Sequence, residues 1–248
     1  MTAEILSVRI HDLTLWSAVE RTKQLISERR GAVVCTPNPE ILCLSRSEPA
    51  LRSVLRRADL VLPDGVGVLW AARCLGTPLR ERVTGVDLFE ALLAEGDWSV
   101  FLYGAEPGVA ERAAETLRKR NPALRILGTA DGYTAEPEAV RERIRALTPD
   151  VTAVCLGSPR QEEFIATLSG SPGLGVLAGL GGTLDVIAGK IPRAPEWFIR
   201  HRLEWLYRTW KEPKRVWRLL RIPGFMAAVW KQRMSYYETG KANCSGRN

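Results

Sequence analysis

Five short apolar runs constrain this chain more than anything else in it: "AVVCT" (32–36), "DLVL" (59–62), "WSVFLYG" (98–104), "VTAVCLG" (151–157) and "LGVLAGLG" (174–181). Each is too short for an ordinary helix and lacks the polar alternation of a half-solvated strand. Each therefore reads as a strand buried on both faces. "ILSVRI" near the N-terminus and "ALRILGTADG" (123–132) add two more strand-like runs. Between them lie helical patterns: one at 15–26 carrying Leu15, Ala18, Val19, Leu25 and Ile26, then 40–57, 66–75, about 86–95, 108–120, 136–147 and 160–168. Strands interleaved with amphipathic helices define the α/β class: a Rossmann-like parallel sheet with helices on both faces.

Ligands of such a sheet bind outside the carboxyl ends of its strands. Here those ends read "CTPNPE", "LPDGVG", "LYGAEPG", "TADGY", "LGSPRQE" and "AGLGGTLD", where small and polar residues concentrate. Asp64 stands between the second of these strands and the helix at 66–75, and two roles suit it. It is an N-cap, or it is an ionised carboxylate, favoured by the helix N-terminus, that takes a proton from a substrate hydroxyl. Ser158 and Gln161 in "GSPRQEEF" form a capping box, or they meet a phosphate together with free helix N–H groups. Thr36 and Asn38 add a hydroxyl and an amide. Gly65, Gly157, Pro159, Gly181 and Gly182 shape the loops, the last two as a backbone nest for an anion. Arg82, with Arg73 and Arg80 nearby, is a candidate cation. Neither a P-loop nor a dinucleotide fingerprint is present.

Charge divides the chain unevenly. Residues 1–189 hold 21 Lys/Arg against 24 Asp/Glu, whereas residues 190–248 hold 14 against 4. Five of the eight tryptophans (197, 205, 210, 217 and 230) fall in that basic tail. Its pattern predicts three helical pieces divided at Pro213 and Pro223, with "ETGKANCSGRN" disordered. The expected division is an α/β body over 1–190 and a basic helical appendage over 191–248. No signal peptide or membrane span is evident. Five scattered cysteines and two histidines lack metal-ligand spacing, so neither a metal site nor a cofactor is expected. The absence of any D-x-D leaves diphosphate charge to be met by guanidinium groups and helix N-termini.

Six segments in order, "TPNPEI", "LVLPDGVGV", "RVTGVDL", "LGSPRQEEFI", "GLGGTLDVIAGKIPRAPEW" and "LEWLYRTWKEPKR", resemble the WecG/TagA/CpsF family of bacterial glycosyltransferases over roughly residues 30–218. The resemblance implies an inverting, metal-independent transfer from a UDP-sugar, typically of N-acetylmannosamine type, to undecaprenyl-diphosphate-linked N-acetylglucosamine. It places the enzyme in the cytoplasm, peripheral on the inner membrane face. It assigns Asp64 as general base, with Thr36, Gln161 and Arg82 beside it. It brings Arg208, Arg215 and Arg218, with Arg193 in "KIPRAPEW", to the diphosphate. Phe164 departs from the tryptophan more usual in the family.

The basic, Trp-rich tail suits an anionic leaflet, where Lys and Arg gain about 1 kcal/mol each and Trp settles at headgroup level. Two other readings explain only the tail. A nucleic-acid-binding protein would use it on phosphates and bases, and a docking module without catalysis would need only its membrane affinity. Neither accounts for polar strand ends in a mildly acidic body, so nucleic acid is not an expected partner. Assembly into a homo-oligomer is left open.

Overall fold

A computed structural model describes residues 1–191 and 221–245, with side chains through 236. Six strands form one parallel sheet in the order β4-β3-β8-β7-β5-β6. They are β3 (Ala32–Cys35), β4 (Leu60–Val61), β5 (Ser99–Gly104), β6 (Arg125–Ala130), β7 (Val151–Cys155) and β8 (Val176–Gly179). Side chains alternate across it as the pleat requires. Val33, Cys35, Phe101, Tyr103, Val154 and Leu177 enter one apolar layer. Val34, Val100, Leu102, Ala153 and Ala178 enter the other.

Helices α2 (Pro39–Ser47), α3 (Pro49–Arg57), α4 (Val66–Cys74), α7 (Pro137–Leu147) and α8 (Arg160–Ala166) cover the first face. Helices α1 (Leu15–Ser27), α5 (Gly85–Ala94), α6 (Val109–Arg120) and the short α9 (Thr183–Ile187) cover the second. At the centre of the sheet, β3 and β8 pair in register, Cys35 opposite Gly179. Beyond that pair the chain leaves toward opposite faces, into α2 after β3 and into α9 after β8. The divergence opens a crevice at the carboxyl edge.

Four local expectations are corrected. "ILSVRI" is not one strand but part of an antiparallel hairpin, β1 (Thr2–Ile5) and β2 (Val8–His11). Its two turn residues, Leu6 and Ser7, have φ of 49° and 66°, values usually left to Gly or Asn in so short a turn. The helix predicted at 40–57 is broken at Glu48, because Pro49 withholds an N–H and disfavours helical backbone before it. Pro223 does not divide the tail. A helix, α10 (Arg221–Ser245), runs through it, so that Arg221 and Ile222 belong to the same element as the residues that follow. That helix also runs through residues 238–245, which were expected to be disordered. Residues 192–220, with Pro213 and most of the tail tryptophans, lie outside the described residues.

Helix α10 packs back on the first face. Phe225, Ala228 and Val229 are buried at helical spacing, and Phe225 tilts against Trp70 of α4 with ring centroids 6.5 Å apart. Gln232 accepts from the Leu6 N–H at 2.8 Å and donates to the Glu4 carbonyl at 2.9 Å, holding the strained hairpin turn. No described helix is long and apolar enough to cross a membrane.

The hairpin is tied to the sheet edge through His11, whose Nδ1 accepts from the Val61 N–H at 3.1 Å. Burial holds this imidazole below its ordinary 6.5, opposed by the Val61 carbonyl and helped by the positive charge of Arg9. Below pH 6.5 the unfolded chain therefore binds more protons than the folded one, and stability falls as pH drops through that value. Urea unfolding at pH 7.5 and 5.5 is expected to show this loss in the parent. Less of it is expected in His11→Asn, whose amide oxygen accepts without titrating. Equal losses in the two proteins would place the acid sensitivity elsewhere.

Candidate active site

The strand order sets the order of the site residues. Asp64 follows β4, Thr36 and Asn38 follow β3, Gly181 and Gly182 follow β8, and Gly157, Ser158 and Gln161 follow β7. All of them, with Gly65 and Arg82, line a single crevice of about 1250 Å³. Pro159 stands behind it as the N-cap of α8, joined to Ser158 by a cis peptide bond. Arg193, Arg208, Arg215 and Arg218 lie outside the described residues.

Each group is held by a nameable contact. The Asp64 N–H donates to the Pro37 carbonyl at 3.2 Å, tying the loop after β4 to the loop after β3. One residue earlier, the Pro63 carbonyl accepts from the Val83 N–H at 3.0 Å, which ties the loop that carries Arg82 to the loop that carries the acid. Of the neighbouring arginines, Arg73 also lines the crevice. Arg80 does not, because Asp12 takes its backbone N–H at 2.8 Å and its Nε at 3.0 Å. Thr36 is buried, and its hydroxyl lies 3.5 Å from the Gly179 carbonyl. Asn38 caps α2, its Oδ1 accepting from the Ile41 N–H at 3.0 Å.

Both capping readings are corrected. The N-cap of α4 is Gly65, not Asp64, with φ of 105° and no side-chain cap. A left-handed turn of that kind favours glycine. It sends the chain into α4 while leaving the acid at the rim. Ser158 and Gln161 make no capping box. Gln161 turns inward, its Oε1 accepting from the Gly181 N–H at 3.0 Å and its Nε2 donating to Glu162 at 2.8 Å.

Several crevice residues went unmarked in the sequence because they look like ordinary surface. Lys190 pairs with Glu106 at 2.7 Å and lies 3.5 Å from Asp185. Arg160 donates to the Gly132 carbonyl at 2.9 Å, and Tyr133 stands exposed next to it. These mark the polar end of the crevice, near β5, β6 and β7. The opposite end, between α2, α4 and α10, is largely apolar, with Ile41, Leu44, Leu69, Trp70, Ile222 and Met226 beside the charged Glu40, Arg73 and Arg221. Cys155 also lines the crevice, but burial pushes its thiol up to about 12, which removes it as a thiolate nucleophile near neutral pH. Among the described residues, no three His, Cys, Asp or Glu side chains gather where they could hold a metal ion.

A family model described as "Glycosyl transferase WecG/TagA/CpsF family" matches residues 3–239. The chain is 40% identical over 209 residues to the N-acetylglucosaminyldiphosphoundecaprenol N-acetyl-beta-D-mannosaminyltransferase of Bacillus spizizenii, covering 83% of this chain and 81% of that protein. It is 36% identical over 213 residues to the protein of the same description from Bacillus subtilis, covering 85% and 83%. The Staphylococcus aureus protein so described is 33% identical over 233 residues, covering 92% of each.

The distance between Asp64 and the β3 loop rests on close packing of α4 against α2. A Cβ on Gly67 would stand 2.6 Å from Cγ of Pro39, a ring with little freedom to yield. Gly67→Ala is expected to cost about 1–3 kcal/mol through overpacking. A shift of about 1 Å at the rim is expected to lower turnover by up to 10²-fold. Urea unfolding and initial rates test this, and parental values in both would mean that Pro39 gives way without moving the acid.

Proposed function

Because the chain belongs to the WecG/TagA/CpsF family of glycosyltransferases, we propose that it moves N-acetylmannosamine from UDP-N-acetylmannosamine to undecaprenyl-diphosphate-linked N-acetylglucosamine. The product would serve a wall polymer of teichoic-acid type. The observation that carries this reading is the convergence of Asp64, Thr36, Asn38, Arg82, Ser158, Gln161 and Gly181 on one crevice from loops spread over more than a hundred residues.

The chemistry follows from that arrangement. The acceptor hydroxyl oxygen attacks the anomeric carbon, the bond from that carbon to the diphosphate oxygen breaks, and UDP leaves with the electron pair. Attack on the face opposite UDP inverts the anomeric centre. Asp64 takes the hydroxyl proton as the new bond forms, a contribution of about 10²–10⁴-fold for a placed general base. The leaving diphosphate needs cations and N–H donors already in position. Arg82, Ser158, Gln161 and the Gly181–Gly182 loop are our candidates, with Thr36 and Asn38 bounding the sugar.

The two ends of the crevice suit two substrates. A nucleotide fits the polar end of strand loops, and a lipid-linked acceptor fits the apolar end beside Asp64. We further propose that residues 1–190 form the sugar-nucleotide-binding body and that residues 191–248 dock it on the inner face of an anionic membrane. Arg193, Arg208, Arg215 and Arg218 would then close over the diphosphate. Ile222 and Met226, both exposed on α10, support an apolar approach from that side.

UDP release from UDP-N-acetylmannosamine with a lipid-diphosphate-N-acetylglucosamine acceptor, with EDTA present, is the direct test. The parent is expected to turn over, and Asp64→Asn to lose about 10²–10⁴-fold in kcat while still binding UDP. Full activity in the variant would remove Asp64 as the base, and loss of parental activity in EDTA would remove the metal-independent mechanism.

A further inference from the structure

Behind the crevice wall, Glu162 is one of the few buried charged side chains among the described residues, only 2% exposed. It does not line the crevice, but its neighbours Ser158 and Gln161 do. Its Oε1 accepts from Gln161 Nε2 at 2.8 Å. Its Oε2 and the Ser158 hydroxyl are both buried without a hydrogen-bond partner of ordinary geometry. Burial pushes the carboxyl above the usual carboxylate range, opposed by the Gln161 amide and the nearby Ser158 hydroxyl. A carboxyl kept under that cost, off the crevice lining, calls for a reason.

Gln161 supplies one. A glutamine amide has a donor end and an acceptor end, and in isolation either can face a given neighbour. The Gly181 N–H can only donate, so it takes Oε1. Nε2 then needs an acceptor on its other side, and Glu162 provides it. Gly179 leaves room for this amide: a Cβ there would come within 3.2 Å of Gln161 Nε2 and 3.5 Å of its Cδ. The same Gly179 carries the carbonyl facing Thr36. One chain of contacts thus runs from Glu162 through Gln161 to the loop after β8, in the middle of the crevice floor.

We propose that Glu162 is a positioning residue. It fixes the orientation of Gln161, and through it the Gly181 N–H and the glycine loop that receive the anionic part of the donor. The proposal rests on the reading of this crevice as a UDP-sugar site. It assigns Glu162 no contact with substrate.

The test compares Glu162→Gln, whose carbonyl still accepts from Gln161, with Glu162→Met, which is close in shape and has no strong acceptor. Amide hydrogen exchange at Gly181, UDP binding by calorimetry and the kinetic constants for the donor are measured on each folded protein. Glu162→Gln is expected to stay within about twofold of the parent in all three. Glu162→Met is expected to speed exchange at Gly181 and weaken UDP binding and donor KM by roughly tenfold or more, the scale of a buried donor left without its partner. Its kcat should change less. Unchanged exchange and UDP affinity in Glu162→Met would overturn the proposal. So would a tenfold loss of UDP affinity in a stably folded Glu162→Gln, a result that still decides the matter if the methionine variant does not fold. A parent that binds no UDP would instead sink the functional reading, while exchange at Gly181 would still report on the clamp.

Discussion

The in-register parallel pairing of β3 with β8 is the constraint on which the crevice depends. Parallel strands end at the same edge, so Cys35 opposite Gly179 brings Thr36 and Leu180 side by side. The next residues cannot both stay in the plane. Pro39 starts α2 on one face, Thr183 starts α9 on the other, and the gap between them is the site. β4 on one flank and β7 on the other then deliver Asp64 and Ser158 to the two sides of that gap. A slip of one residue between β3 and β8 would exchange the two apolar layers as well as move the site. The core that stabilises the sheet therefore also protects the geometry of the crevice.

The carboxylates at the two edges of the sheet are anchored by different groups. At the amino edge, Asp59 takes the Val33 N–H at 2.8 Å and pairs with Arg30 at 2.6 Å. Asp150 takes the Ser99 N–H and hydroxyl at 2.7 and 2.6 Å and pairs with Arg29. These acids satisfy strand N–H groups that the ladder leaves over, and their hydrogen-bonding capacity is largely spent there. Asp64, at the carboxyl edge, anchors its loop by its backbone N–H, which leaves the positioning of the loop to the main chain.

The α/β architecture and most of the crevice floor were legible because they depend on patterns that repeat. Doubly buried strands are continuous apolar runs, and the small and polar residues at their carboxyl ends stand out against those runs. Two of the features the sequence hid were set by partners far away in the chain. The hairpin turn at Leu6 and Ser7 carries no glycine or asparagine, since Gln232 stabilises it from more than two hundred residues downstream. Ser158 and Gln161 match a capping box in spacing, yet the Gly181 N–H and the buried Glu162 draw the amide inward. Local propensity lost to tertiary hydrogen bonds in both cases. Glu162 itself, within a run of charged residues at the start of a helix, has the sequence context of a solvated face. Only its burial separates it from Glu163.

The two ends of the crevice are built by different means, and this bears on how the enzyme is assembled. The polar end is made of strand-end loops and backbone groups, all within the sheet that forms the body. The apolar end needs α2, α4 and α10, the last of them from the far end of the chain. Among the contacts that hold α10 there are Phe225 on Trp70, the buried Ala228 and Val229, Gln232 on the hairpin and the pairing of Arg221 with Glu40 at 3.5 Å. The last is an exposed pair that contributes little stability, so the helix depends chiefly on its buried apolar face. The polar end thus lies wholly within the body, whereas the apolar end is completed by a helix from beyond residue 220. Asp64 itself belongs to the body, on the loop after β4, so under the proposed function the docked helix supplies an apolar wall for the acceptor, while the base is already in place beside the donor.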